Sequence, residues 1–235
     1  MFSINLELNV TLKCNCKCLY CNRCCNLFDY EDSDMIPEQI IKLGEQLKSK
    51  EIYIKKIKIV GGEPLLNPNI IDIVEELDKL KTEGLIGYIK INTNTTIPVP
   101  DGLRKYNMRW LGSSKKKKKH IPFPYSLLDC GLEPEKCNIP NGCGLSLDKW
   151  GFLPCSPAIP LVRILNKPEL YSKTVPSNIY FIKELCSHCS HAMPANWKKD
   201  NMSFGLKDNN ICPTKTMVEG IKKYNSEFDK KLEIY

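Results

Sequence analysis

The sequence predicts an α/β fold in which strands and helices alternate to build a parallel sheet. Apolar residues recur at every second position in strand-length segments, and at helical spacing in the segments between them. This alternation is typical of βα units, whose strands pair in parallel. Polar or glycine-rich segments follow the strands, and sites in such folds lie at the carboxyl ends of the strands. We therefore expect the functional residues in those loops.

The predicted elements follow one another along the first half of the chain. A strand over 4–12 alternates apolar and polar residues, and Pro37 opens a helix with Ile40, Leu43 and Leu47 at helical spacing. The other predicted elements are a β-branched strand over 52–60, a helix over 69–83 capped by Gly84, a strand over 86–91, a helical turn over 101–106 and a strand over 108–111.

The periodic pattern fades after about residue 125, and this divides the chain into three predicted parts. Residues 1–125 form the α/β core. Residues 126–212 are rich in Pro and Cys and are expected to form a small domain ordered by metal rather than by a large core. Residues 213–235 contain an amphipathic pattern that predicts a terminal helix.

The charge of the chain is concentrated in one segment. The 235 residues carry a formal net charge of +7, of which Lys115 to Lys119 supply five; without that run the balance is +2. No broad basic face and no nucleic-acid partner are therefore expected, and the run is either a solvated segment or an attractor for an anionic substrate. The sequence shows neither a signal peptide nor an apolar membrane span, so a cytoplasmic location is expected.

Cysteine is the unusual residue. Six of the thirteen cysteines fall between Cys14 and Cys25, and seven between Cys130 and Cys212. An odd count without an export signal argues against a disulfide framework. Thiols grouped in this way favour metal binding.

The first cysteine group contains three cysteines, Cys14, Cys18 and Cys21, with the spacing of a cluster-binding loop. A [4Fe–4S] cluster takes one thiolate per iron, so three ligands leave one iron open to a small molecule. Two alternatives remain: a register that begins at Cys16, and a zinc ion bound by four of the six cysteines, which include Cys24 and Cys25.

The C-x3-C-x2-C spacing, with Tyr20 before its last cysteine, resembles the signature of the radical S-adenosylmethionine (SAM) superfamily. Gly61-Gly62-Glu63, after the second predicted strand, resembles the GGE motif of that family, which binds the amino group of the methionine moiety. The resemblance assigns ribose and methionine-carboxylate contacts to the ends of the third and fourth strands, which here carry Asn92, Thr93, Asn94, Ser113 and Ser114.

The second cysteine group is similar to the twitch domain, a shortened SPASM domain with an auxiliary [4Fe–4S] cluster. Its candidate ligands are Cys143 and Cys155 around a Gly151 hairpin, together with Cys186 and Cys189. Three residues separate Gly151 from Cys155, where the family pattern usually has four. Cys143 suits the hairpin and is preferred, with Cys137 as the alternate. A structural zinc site, with His188 and His191 nearby, is the competing interpretation.

The resemblance implies a partial (β/α) barrel of the radical SAM type, with the twitch domain over its mouth. It also implies SAM, a [4Fe–4S] cluster, an auxiliary cluster and a flavodoxin- or ferredoxin-type electron donor. The implied activity is SAM cleavage to a 5′-deoxyadenosyl radical that abstracts hydrogen from a substrate. Aminocyclitol dehydrogenases and other carbohydrate-tailoring members favour oxidation or epimerisation of a sugar or nucleotide-linked small molecule.

Two other functions remain open on the sequence. One is a peptide maturase that forms thioether or carbon–carbon bonds or epimerises residues, and the other is a zinc- or cluster-binding interaction module. Cys130 and Cys212 are either small buried hydrophobes or, as in epimerases of the superfamily, hydrogen-atom donors to a substrate radical.

Overall fold

The computed structural model describes two long parts of the chain, one with each group of cysteines. The described residues are 2–16, 21–25, 28, 30, 32–112, 134, 137–178, 180–192, 219, 220, 222 and 232–235. The strands are β1 (Phe2–Thr11), β2 (Ile52–Gly61), β3 (Ile86–Thr93), β4 (Arg109–Gly112), β5 (Leu145–Asp148) and β6 (Gly151–Leu153). The helices are α1 (Pro37–Ser49), α2 (Ile70–Thr82), α3 (Asp101–Arg104), α4 (Ile139–Gly142), α5 (Ala158–Ile164) and α6 (Lys183–Cys186).

The six strands form one sheet in the order β4-β3-β2-β1-β5-β6. All neighbours pair in parallel except β5 and β6, which form an antiparallel hairpin. The first four strands have the order expected of successive βα units. The predicted α/β class and the partial, open barrel are confirmed by this parallel sheet.

One face of the sheet is apolar and carries the helices. Leu6 and Leu8 of β1, Ile57 and Ile59 of β2, and Ile89 of β3 lie in the same buried core as the apolar stripes of α1 and α2. The period-2 pattern of the strands and the period-3.6 pattern of the helices therefore predict the same interface. Helix α2 ends at Gly84, whose φ of +77° provides the left-handed cap expected from the sequence.

A register shift lies in the sheet at Lys55 of β2. The apolar positions of β2 change from Ile52 and Ile54 to Ile57 and Ile59, whereas those of β1 keep an even spacing, and the pairing of the two strands shifts between Ile4 and Asn5. The opposite strand carries Gly87 there, and a Cβ on Gly87 would lie 2.5 Å from the Lys55 carbonyl oxygen. Glycine is therefore required where β3 passes the irregularity.

The cysteine-rich second half joins the sheet rather than standing beside it. Strand β5 pairs with β1 on the side away from β2, and β6 turns back from it. The predicted boundary at residues 125 and 126 lies outside the described residues, as does most of the predicted terminal helix. Tyr235 is described, and its ring packs edge-on against Phe152 at 5.2 Å between centroids.

A second apolar core forms around α5, whereas residues 126–212 were expected to be ordered by metal rather than by a large core. All seven residues of α5 are buried, and Trp150, Leu153 and Leu185 pack with it. The helix was not predicted, because a wholly buried helix has no polar face and Pro160 reads as a breaker. Pro160 is the third residue of the helix, where the backbone N–H has no intrahelical partner to lose.

None of the helices in the described part of the chain is long and apolar enough to cross a membrane.

Candidate functional site

The loops that follow β1 and β2 are bonded to each other at the carboxyl edge of the sheet. The Gly62 N–H donates to the Thr11 carbonyl at 3.0 Å, and the Glu63 N–H donates to the Lys13 carbonyl at 2.8 Å. Lys13 immediately precedes Cys14. The glycine motif and the start of the first cysteine group therefore form one unit.

The two glycines of this motif allow that contact. A Cβ on Gly61 would lie 2.1 Å from the Thr11 carbonyl oxygen, and a Cβ on Gly62 would lie 2.1 Å from the Lys13 carbonyl oxygen. Any side chain at either position would push the β1 loop away. Glycine is thus needed at both positions because the two backbone segments pack directly against each other.

The Glu63 side chain is fully buried and ties two strand ends together. Its Oε1 atom accepts from the Leu65 N–H at 3.1 Å and from the Thr93 hydroxyl at 2.8 Å, and its Oε2 atom accepts from the Asn94 N–H at 2.6 Å. Among the described residues, three donors thus bind a carboxylate that has about four lone-pair sites. Glu63 therefore acts as a brace between β2 and β3.

The end of β3 also holds the cysteine loop. The Asn94 amide donates to the Asn15 side-chain oxygen at 2.9 Å and to the Cys16 sulfur at 3.3 Å, and the Asn15 amide donates to the Thr96 hydroxyl at 2.8 Å. The Oδ1 atom of Asn92 is buried and has no hydrogen-bond partner among the described residues. Asn92 therefore has a buried acceptor for which the described residues supply no donor.

Within the first cysteine group, Cys14, Cys21 and Cys25 lie close enough to interact electrostatically. A hydrogen bond from the Cys25 thiol, supported by backbone N–H donors and by the charge of Arg23, lowers the pKa of Cys21 to about 5. Burial and the charge of Cys21 raise the pKa of Cys24. The site therefore favours the thiolate at Cys21, which is the form that binds metal. Cys18 and Tyr20 lie outside the described residues.

Arg23 links this loop to the polar face of the sheet. Its Nη2 atom lies 3.4 Å from a Glu7 carboxylate oxygen, and Lys58 of β2 pairs with the other oxygen. Burial alone would raise the pKa of Glu7, but Arg23 and Lys58 together hold it below its ordinary value. Glu7 is therefore a buried carboxylate neutralised by two cations.

In the second cysteine group, four cysteines lie together against the second apolar core. Burial raises the pKa of Cys155 well above its ordinary value, and the charges of three neighbouring thiols act in the same direction. These neighbours are Cys189, Cys186 and Cys137. Burial likewise raises the pKa of Cys186 to about 12. The Nδ1 atom of His188 is buried without a hydrogen-bond partner in the described residues.

Cys143, the ligand preferred from the sequence, lies at the entrance to β5. It immediately precedes the glycine that enters β5, and a Cβ on Gly144 would lie 2.1 Å from the Asn5 carbonyl oxygen, near the amino end of β1. Burial raises the pKa of the Cys143 thiol, the charge of Glu7 acts in the same direction, and the charges of Lys58 and Lys56 oppose it. Cys137 is the candidate first ligand that interacts electrostatically with Cys155 and Cys186.

Several predicted site residues cannot be placed. Ser113, Ser114, Cys130, Cys212 and the run from Lys115 to Lys119 lie outside the described residues. Among the residues that are described, no group of three or more Cys, His, Asp or Glu side chains is arranged to hold a single metal ion.

The model of the radical SAM superfamily matches residues 8–114. This range contains the first cysteine loop, the glycine motif and the end of β3, and it stops before the second cysteine group. Residues 8–114, a little under half of the chain, are thus similar to the radical SAM superfamily. The family implies a [4Fe–4S] cluster and SAM as cofactors. The donor set at the strand ends fits both, because it combines grouped cysteines, of which Cys21 has a lowered thiol pKa, with a glycine turn and a carboxylate beside them.

Relatives with curated names include GTP 3′,8-cyclases. The chain is 35% identical to a probable GTP 3′,8-cyclase of Methanothermobacter marburgensis over 94 residues, which are 40% of this chain and 28% of the relative. It is 27% identical to that of Archaeoglobus fulgidus over 151 residues, or 57% of this chain and 48% of the relative. The chain thus spans less than half the length of either relative.

Solved structures give weaker likenesses. BtrN in complex with AdoMet and 2-DOIA is 19% identical, with a TM-score of 0.44 over 68% of this chain and 75% of that one. Streptococcus suis SuiB bound to the precursor peptide SuiA is 22% identical, with a TM-score of 0.34 over 43% of this chain and 20% of that one.

Proposed function

We propose that this radical SAM protein cleaves SAM reductively at a cluster held by Cys14, Cys18 and Cys21, and abstracts hydrogen from a small-molecule substrate. The observation that carries the proposal is the bonding of three loops at one sheet edge: Gly62 to Thr11, Glu63 to Lys13, and Asn94 to Asn15 and Cys16. When bound, the cluster and SAM supply the electron and the 5′-deoxyadenosyl radical.

The residues of the chain position these groups. The Gly61-Gly62 turn lets backbone approach the methionine end of SAM, and Glu63 offers its one remaining acceptor site to the ammonium. Asn92 offers its unpaired oxygen to a hydroxyl, either of the ribose or of the substrate. The family resemblance adds Ser113 and Tyr20 to the proposed SAM contacts.

We further propose an auxiliary [4Fe–4S] cluster on Cys137, Cys155, Cys186 and Cys189, as in twitch domains. The support is the mutual proximity of these four thiols against the α5 core. Cys137 takes the place of Cys143 in our proposal, because Cys137 interacts electrostatically with Cys155 and Cys186. Four thiolates would close all four irons, so this cluster would have no open position.

For the substrate, the carbohydrate or aminocyclitol class remains our first proposal, with oxidation or epimerisation as the outcome. A nucleotide is the second, favoured by the 35% identity to a probable GTP 3′,8-cyclase within the matched region. A peptide substrate is the third. Analysis of the products formed from a substrate of each class distinguishes the three proposals.

Anaerobic reconstitution followed by incubation with SAM and dithionite tests the proposal. We expect about eight irons per chain and release of 5′-deoxyadenosine. Changing Cys14, Cys18 and Cys21 together to Ala should remove about four irons and all release. A protein that takes up zinc instead of iron and releases no nucleoside would contradict the proposal and support an interaction module.

A further inference from the structure

The polar face of the sheet carries a row of five residues in register, one from each of five strands, and four of them are charged. Glu7 of β1 pairs with Ser146 of β5 and with Lys58 of β2, Lys58 pairs with Lys90 of β3, and Lys90 pairs with Arg109 of β4. Neighbouring strands lie about 4.8 Å apart, so the three cations span about 10 Å of one face. This is the face opposite to α1 and α2.

The charges of this row do not balance. Glu7 is the acidic residue of the row, and Lys58 and Arg23 already neutralise it. Lys90 has no carboxylate partner among the described residues. Burial lowers the pKa of Lys90, and the charges of Lys58, Lys56 and Arg109 lower it further. Among the described residues, the row therefore carries an excess of positive charge on the face of the sheet opposite to α1 and α2.

The row is accessible and equipped to bind. Lys58 and Lys90 are partly buried, Arg109 is exposed, and the Arg109 guanidinium lies 5.6 Å from the centre of the Tyr88 ring. A guanidinium held against a ring presents its fork of donors in a fixed plane, which matches phosphate oxygens. Lysine at the two neighbouring positions adds point charges.

The row lies close to the carboxyl ends of β2 and β3. Lys58 precedes Gly61 by three residues, a rise of about 10 Å along the strand. Two positions beyond Lys90 on the same strand is Asn92, whose buried Oδ1 atom has no partner among the described residues. A substrate anchored at the row could therefore donate a hydroxyl to Asn92 and reach the edge where the cysteine loop lies.

We propose that Lys58, Lys90 and Arg109 form a subsite for a phosphate or phosphate-ester group of the substrate, with Asn92 accepting a hydroxyl of the same molecule. This inference rests on the proposed function, which places the reacting end of the substrate at the edge with the cysteine loop. It narrows the substrate class to phosphorylated polyols, including nucleotides.

Binding of inorganic pyrophosphate to the reconstituted protein, measured by calorimetry at constant ionic strength, tests the subsite. We expect saturable binding by the unaltered chain, and affinity weaker by roughly tenfold for Lys90→Gln and again for Arg109→Gln, since each variant removes a charged donor. Lys79→Gln, on the exposed side of α2, is the matched control and should bind like the unaltered chain.

Iron content and thermal unfolding of each variant verify that it folds. Binding no stronger than that of chloride, or equal binding by the Lys90 and Arg109 variants, would overturn the subsite. Pyrophosphate should also bind the variant in which Cys14, Cys18 and Cys21 are Ala. If 5′-deoxyadenosine is released but pyrophosphate does not bind, only the subsite fails; if pyrophosphate binds and no nucleoside is released, only the proposed function fails.

Discussion

The Arg23 side chain donates from Nε to the Oδ1 atom of Asn9 at 2.7 Å. Arg23 follows Cys21 by two positions, and the Asn9 amide donates in turn to the hydroxyls of Ser146 and Ser156 at 2.9 and 3.2 Å. Ser156 directly follows Cys155. One buried chain of hydrogen bonds therefore runs from the first cysteine group, across β1, to the second.

Replacement of Arg23 should destabilise the fold. In Arg23→Ala, Glu7 loses one of its two cations and Asn9 loses a donor, and both side chains stay buried. We expect a loss of about 2–4 kcal/mol in the free energy of unfolding, measured by urea denaturation of the metal-free protein. Arg104→Ala breaks an exposed pair with Asp101 and should cost less than about 1 kcal/mol. Equal losses in the two variants would show that the buried network does not stabilise the fold.

Glycine at position 62 is expected to be essential for the site. In Gly62→Ala the new methyl group would lie 2.1 Å from the Lys13 carbonyl oxygen, so the segment leading into Cys14 must move. We expect 5′-deoxyadenosine release to fall by at least about tenfold, since a small misplacement of reacting groups is costly. Gly142→Ala is the control, because its added methyl group meets nothing within 4 Å. Full activity of Gly62→Ala would contradict this account of the turn.

Substitution of Glu63 tests its role as a brace. In Glu63→Gln, an amide nitrogen replaces one acceptor oxygen and faces a donor from Thr93, Leu65 or Asn94. We expect a destabilisation of about 1–3 kcal/mol, with weaker SAM binding. Chemical denaturation and equilibrium dialysis with labelled SAM measure the two effects. Glu83→Gln, at an exposed ion pair, should leave both unchanged, and an unaltered Glu63→Gln protein would refute the brace.

The ligand set of the second cysteine group can be read from iron content. Cys137→Ala should lose about four irons per chain, because the auxiliary cluster would lack one of four ligands. Cys143→Ala should keep them, since the proposed ligand set does not include Cys143. The opposite result would restore the ligand preferred from the hairpin spacing. If both variants bind zinc rather than iron at the second cysteine group, the structural zinc alternative is supported.

The first five large elements were predictable from the sequence because each buries one face. Periodicity placed β1, α1, β2, α2 and β3 within a few residues of their observed bounds. Helix α5 was not predictable in this way, because it is buried on all sides. The register shift at Lys55 is visible in the sequence only as a change in apolar spacing, whose meaning depends on the unshifted pattern of β1.

The site was predictable as a set of motifs but not as an arrangement. Local spacing marked Cys14, Cys21 and the Gly61-Gly62-Glu63 turn. The choice between Cys137 and Cys143 depends on the pairing of β5 with β1, which joins residues more than a hundred positions apart. The row of Lys58, Lys90 and Arg109 likewise forms only when the strands pair in register. The small net charge outside the Lys115 to Lys119 run gives no sign of it.

The central claim is that the cluster with an open iron is held in the register of Cys14, Cys18 and Cys21. The most direct measurement is 5′-deoxyadenosine release by two reconstituted variants, Cys14→Ala and Cys16→Ser, the second of which keeps an acceptor for Asn94. We predict that Cys14→Ala abolishes release and that Cys16→Ser retains most of it. Loss of release in Cys16→Ser with retention in Cys14→Ala would contradict the assignment.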